Sequence, residues 1–240
     1  MEKLDAICGK CGHRARRHSI IGKHECFDCD CLWFKISEGD PFITPVVIDK
    51  DEVPEVYVSP TNEWMQTFTG RAFFPMNVGR SEIDIYDIAH SLGLQCRYNG
   101  HVSRFYSVAE HCVLMSYSVP EEDALWALLH DATETYVGDL IRPVKKHLPE
   151  FVQIEDKIMK AIVDRYDLGT YQMPASVKDA DNRIIENERR ELLKKEPLPW
   201  TVHGEALPDI VITGWLPEEA ELRYFNRFNE LMALRGNKID

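Results

Sequence analysis

No apolar run in the 240-residue chain approaches the roughly 20 residues that a membrane-crossing helix needs. The first residues also lack the basic and apolar regions of a secretory signal. These two absences point away from membrane and exported classes, so the expectation is a cytoplasmic protein with no membrane partner. Positive charge is scarce as well: 28 Lys and Arg stand against 40 Asp and Glu, a formal net charge of -12. So acidic a chain has no long-range attraction for duplex DNA, whose nonspecific binding depends on cations that neutralise phosphates. Small phosphate substrates stay open, because a divalent ion supplies the positive charge locally. There is no internal repeat and no low-complexity tract, which sets aside solenoids and disordered linkers.

What is present fits a folded protein: 44% of residues are hydrophobic and 28% charged. The length suits one main core with a small appendage. Seven cysteines are an odd number for a disulfide framework, and five of them crowd between residues 8 and 31. Cys8-x2-Cys11 and Cys26-x2-Cys29 each offer two thiolates to one tetrahedral zinc, the pattern of a zinc ribbon or knuckle over residues 1–36. So small a segment buries too little apolar surface to fold alone, and the ion would supply the missing free energy. Cys31, His13, His18 and His24 are alternative ligands. Lys10 within the first pair and Arg14, Arg16, Arg17 and Lys23 between the two pairs make either a solvated loop or a patch for nucleic-acid contact.

Residues 37–63 carry Pro41, Pro45, Pro54 and Pro60, which reads as a linker with extended pieces. Residues 64–240 make up the main domain, and from about Ile83 onward the pattern turns helical. Ile83, Ile85, Ile88, Ala89 and Leu92 share one side of a helix ending near Gly93. Ser107 with Glu110, and Ser118 with Glu121, have the spacing of capping boxes. The first predicts a helix through about Tyr117, and the second a helix from Pro120 past His130. Further helices are expected near 151–166, 175–195 and 217–235.

His130 and Asp131 follow the apolar run Ala124–Leu129, where a buried imidazole or carboxylate needs a partner. A metal is a natural one. His111 on the preceding helix and Asp181 on a later one could join them if the helices pack antiparallel. Nitrogen and oxygen ligands with open positions suit a catalytic divalent ion better than a closed zinc site. A core histidine bonded to a neighbouring helix is the plainer explanation of any one of these residues.

Three segments together resemble the HD-domain phosphohydrolase superfamily, whose signature is a His, then a His-Asp pair, then a distant Asp. They are Tyr106-Ser107-Val108-Ala109-Glu110-His111, Leu129-His130-Asp131-Ala132-Thr133-Glu134 and Asp179-Ala180-Asp181. The likeness runs from about residue 64 to 235 and includes Trp215-Leu216-Pro217 and Phe225-x2-Phe228. It implies a mainly α fold, an HD-domain helical bundle beside the small N-terminal zinc ribbon, with His111, His130, Asp131 and Asp181 on the metal. Glu134 and Asp139 match the Glu and Asp to which the 5'-deoxynucleotidase branch gives proton transfer and water positioning. Arg97-Tyr98 resembles that branch's phosphate-holding Arg and sugar-packing aromatic, although Trp often stands where Tyr98 does.

The resemblance further implies Mn, Co, Mg or Fe as the catalytic ion, a nucleotide as the small-molecule substrate, and a homodimer. The leading expectation is hydrolysis of a deoxynucleoside 5'-monophosphate to nucleoside and phosphate. The alternative is a deoxynucleoside triphosphate triphosphohydrolase, acting for example on dATP. A reading from another class is a zinc-ribbon module that binds nucleic acid or protein, with the HD fold as a non-catalytic scaffold.

Overall fold

The structure, a computed structural model, describes residues 63–200 and 204–236. The expected zinc ligands Cys8, Cys11, Cys26 and Cys29, and all of the linker but Glu63, lie outside the described residues. The described part is mainly helical. A short antiparallel hairpin, β1 (Met65–Gln66) and β2 (Ala72–Phe73), precedes eight α-helices. These are α1 (Ile85–Leu94), α2 (Val108–Ser116), α3 (Ala124–Leu129), α4 (Glu134–Val137), α5 (Arg142–Lys145), α6 (Pro149–Tyr166), α7 (Ala175–Leu192) and α8 (Pro217–Gly236). Among the described residues no helix is long and apolar enough to cross a membrane.

Helices α2 and α3 form the centre. On one side Ile88 and Leu92 of α1, Ile158 and Ile162 of α6, and Tyr224 and Phe228 of α8 pack with Cys112, Leu125 and Leu128 into one buried cluster. Met115 and Trp126 join Val163, Val177 and Ile184 in a second cluster that brings in α7. The two residues with chemistry on and after this central pair are therefore enclosed on both sides.

Local sequence explains most of the boundaries. Asp84 caps α1 by accepting the Tyr86 N–H at 2.9 Å. The helix ends at Leu94, next to Gly93 as the sequence suggests, although Gly93 is not its cap. Gly93 lies within α1, where a Cβ would stand 3.0 Å from the Pro217 carbonyl oxygen and 3.3 Å from the Glu221 backbone nitrogen. The glycine is there for the close crossing of α1 and α8. Ser107 caps α2 through the Glu110 N–H at 3.0 Å. The second capping box does not form: Ser118 Oγ donates to the Leu114 carbonyl at 2.9 Å, which turns it back onto α2. A 3-10 turn over Glu121–Asp123 then leads into α3, which stops at Leu129.

Candidate metal centre

His111 is fully buried on α2, and His130 lies just past the end of α3. Residues 130–133 form a tight turn between α3 and α4, in which Ala132 N–H bonds to Leu129 and Glu134 N–H to Asp131, each at 3.0 Å. The His-Asp pair therefore sits at an interruption rather than inside one long helix. His130 Nδ1 donates to the Ala127 carbonyl at 2.7 Å. His111 Nδ1 donates to Glu188 Oε1, also at 2.7 Å. With both Nδ1 atoms committed as donors, the two Nε2 atoms face each other 3.3 Å apart.

Asp131 Oδ2 completes the group, 3.2 Å from His130 Nε2 and 3.7 Å from His111 Nε2. One ligand atom from each of His111, His130 and Asp131 lies within 4.8 Å of the others. Asp181 Oδ1 approaches His111 Nε2 to 3.7 Å, while its Oδ2 accepts from Arg142 at 2.7 Å. Two imidazole nitrogens turned toward one carboxylate call for a positive charge among them. Burial opposes a proton on His130, yet Asp131 overrides it and holds the His130 pKa well above its ordinary value. A divalent cation would satisfy the same demand, and two nitrogens with one or two carboxylate oxygens suit its coordination.

Beneath His111 lies a second carboxylate. Glu188 of α7 is fully buried and accepts from His111 and, at 3.0 Å, from the Tyr106 hydroxyl through Oε1. Its Oε2 accepts from the Tyr98 hydroxyl and from Arg97 NH2 at 3.4 Å. Burial opposes its ionisation, but Arg97 and His111 hold the carboxyl down to about 2. Arg97 also reaches Asp131 Oδ2 at 3.3 Å, so its guanidinium bridges the two carboxylates. The loop is pinned by Arg97 N–H to the Tyr106 carbonyl at 2.9 Å. Tyr98 and Asn99 both adopt left-handed backbone, with φ of 57 and 49. That conformation is unfavourable for a tyrosine, and it turns the Tyr98 hydroxyl inward to Glu188.

Glu134 opens α4, buried, with one carboxylate oxygen lacking any hydrogen-bond partner. Burial first, then repulsion from Asp131 and Asp139, pushes its pKa well up. Burial likewise raises that of Asp139, with Arg97 opposing. Gln95 ties these positions together: its Nε2 donates to the Glu134 carbonyl at 3.0 Å and its Oε1 accepts the Asp139 N–H at 3.2 Å.

The chain is 39% identical over 175 residues to the uncharacterized protein YfdR of Escherichia coli strain K12, an alignment covering 72% of this chain and 97% of that one. The chain belongs to the YfdR family. An uncharacterized protein of Rhodobacter capsulatus is 35% identical over 127 residues, 49% of this chain and 64% of its own length. No family model matches the chain. Neither relative's name states a reaction for the YfdR family.

Of the residues singled out in the sequence, His111, His130 and Asp131 come together as one group. Asp181 stands at its edge, shared with Arg142. Arg97 is beside Asp131, and Glu134 and Asp139 are close enough to act on each other electrostatically. Tyr98 points its hydroxyl into the site floor. Glu188 was not found from sequence. It lies seven residues after Asp181, two turns along the same face of α7, and that spacing was its only signal.

Proposed function

We propose that this YfdR-family chain is a metal-dependent phosphohydrolase of the HD-domain type, most readily a nucleotidase that takes a deoxynucleoside 5'-monophosphate to nucleoside and phosphate. The observation that carries the reading is the convergence of two Nε2 atoms, 3.3 Å apart, with Asp131 Oδ2 in a buried place. His111, His130, Asp131 and Asp181 would hold the ion. A divalent ion held by these residues would supply Lewis-acid polarisation of a phosphoryl oxygen and a lowered pKa for a water.

The remaining work falls to protein side chains. Arg97 offers a planar guanidinium to the phosphoryl oxygens and offsets charge that builds on them. Glu134, whose pKa is raised by burial and by two neighbouring carboxylates, keeps a proton that it can give to the departing sugar oxygen. Asp139, less buried and with Arg97 opposing the rise in its pKa, would accept the proton of the attacking water. The expected zinc at Cys8, Cys11, Cys26 and Cys29 is part of the proposal as a structural ion.

The test is a panel of deoxy- and ribonucleoside mono-, di- and triphosphates with Mn, Co or Mg, products resolved chromatographically, and Asp131→Ala as control. Nucleoside and orthophosphate, abolished in the control, are expected. A second reading, release of triphosphate from a deoxynucleoside triphosphate, draws on Arg142, a largely exposed cation 2.7 Å from Asp181 and suited to a longer phosphate chain. Nucleoside plus triphosphate would replace the first reading by the second. No product from any nucleotide, with metal bound, would overturn both and leave a binding role.

A further inference from the structure

We propose that Glu188 is a positioning residue of the metal site: it fixes His111 as an Nε2 ligand and at the same time anchors Arg97 beside Asp131. The inference rests on the metal reading above and deepens it. His111 Nδ1 and Glu188 Oε1 are 2.7 Å apart with neither side chain exposed to solvent. A carboxylate can only accept there, so a neutral ring keeps its proton on Nδ1 and its lone pair on Nε2, the atom turned to His130 and Asp131. A ring without that partner could flip its tautomer or rotate, and a ligand free to do either holds an ion poorly.

The carboxylate is itself held. Tyr106 donates to Oε1 at 3.0 Å and Tyr98 to Oε2, so neither oxygen is free to turn away from its ring. Arg97 donates from NH2 to Oε2 at 3.4 Å, and its Nε, which makes no hydrogen bond, stands 3.4 Å from Oε1 as an ion-pair contact. So dense a set of donors on one buried side chain exceeds what packing alone requires. It includes both a metal-facing imidazole and the arginine proposed for phosphate. The Tyr98 backbone is strained in the way that brings its hydroxyl to this carboxylate.

The test measures Mn binding to the full chain by equilibrium titration, comparing wild type, Glu188→Gln and Tyr106→Phe. Glu188→Gln keeps shape but removes the charge, and the expected result is roughly 10- to 100-fold weaker Mn binding. Tyr106→Phe removes one donor to the same carboxylate while keeping its charge on His111, and should weaken Mn binding much less than Glu188→Gln does. Equal affinity in wild type and Glu188→Gln overturns the inference alone, whereas a wild type that binds no Mn overturns the metal reading with it. Should Glu188→Gln not fold, nitrogen-15 shifts of His111 in the metal-free wild type decide. A proton on Nδ1 with a bare Nε2 is expected, and a neutral ring protonated on Nε2 overturns the inference.

Discussion

Two imidazole nitrogens 3.3 Å apart repel if both keep bare lone pairs, so either a proton or a cation must sit among His111, His130 and Asp131. The two compete. Asp131 raises the His130 pKa, so the metal-free site keeps its proton to higher pH than a free imidazole, and a cation must displace it. Mn affinity should therefore strengthen as pH rises through neutrality and weaken as it falls, with proton release seen by calorimetry in buffers of different ionisation enthalpy. A pH-independent affinity with no proton release would contradict this arrangement. The group of His111, His130 and Asp131 was legible because a His-Asp pair after an apolar helix is chemically conspicuous. Glu188 was not, since one Glu in the acidic and basic run Glu186-Asn187-Glu188-Arg189-Arg190 looks like a solvated helix face. Only the fold shows that it is turned inward.

Between elements, two contacts set how the helices meet. A Cβ at Gly93 would face the backbone of Pro217 and Glu221, atoms that cannot swing aside, so Gly93→Ala should cost about 1–3 kcal/mol in denaturant unfolding. An unchanged midpoint would mean that α8 shifts freely. Glu110, the would-be partner in the α2 capping box, serves elsewhere: its carboxylate accepts the N–H groups of Thr213 at 3.0 Å, Gly214 at 3.1 Å and Trp215 at 2.7 Å. Gly214 has φ of 74 there and passes within 2.7 Å of the Phe105 carbonyl, measured from where its Cβ would be, so only glycine fits. Glu110→Ala leaves three backbone donors without their acceptor and should cost about 3 kcal/mol, again read as an unfolding midpoint. Helix positions were legible from apolar spacing, α6, α7 and α8 most closely. The stop at Leu129 was not, because His130 and Thr133 at the two ends of the turn keep right-handed helical backbone and residues 130–133 contain no Gly or Pro to break the pattern.

For the molecule as a whole, an ion that binds the folded chain and not the unfolded one adds stability by mass action. Mn at about 100 times its dissociation constant should raise unfolding free energy by about 2.7 kcal/mol, and a chelator should remove it. The Asp131→Ala chain should show no such gain in a thermal melt with and without Mn. A gain of equal size in Asp131→Ala would place the stabilising ion elsewhere. The Glu110 clamp has one more consequence, for the order of events during synthesis. The residue next to His111 is tied to residues 213–215, more than 100 positions later in the chain. A chain synthesised only as far as Asp181 thus already carries His111, His130 and Asp131 but still lacks the segment that clamps the start of α2 beside them.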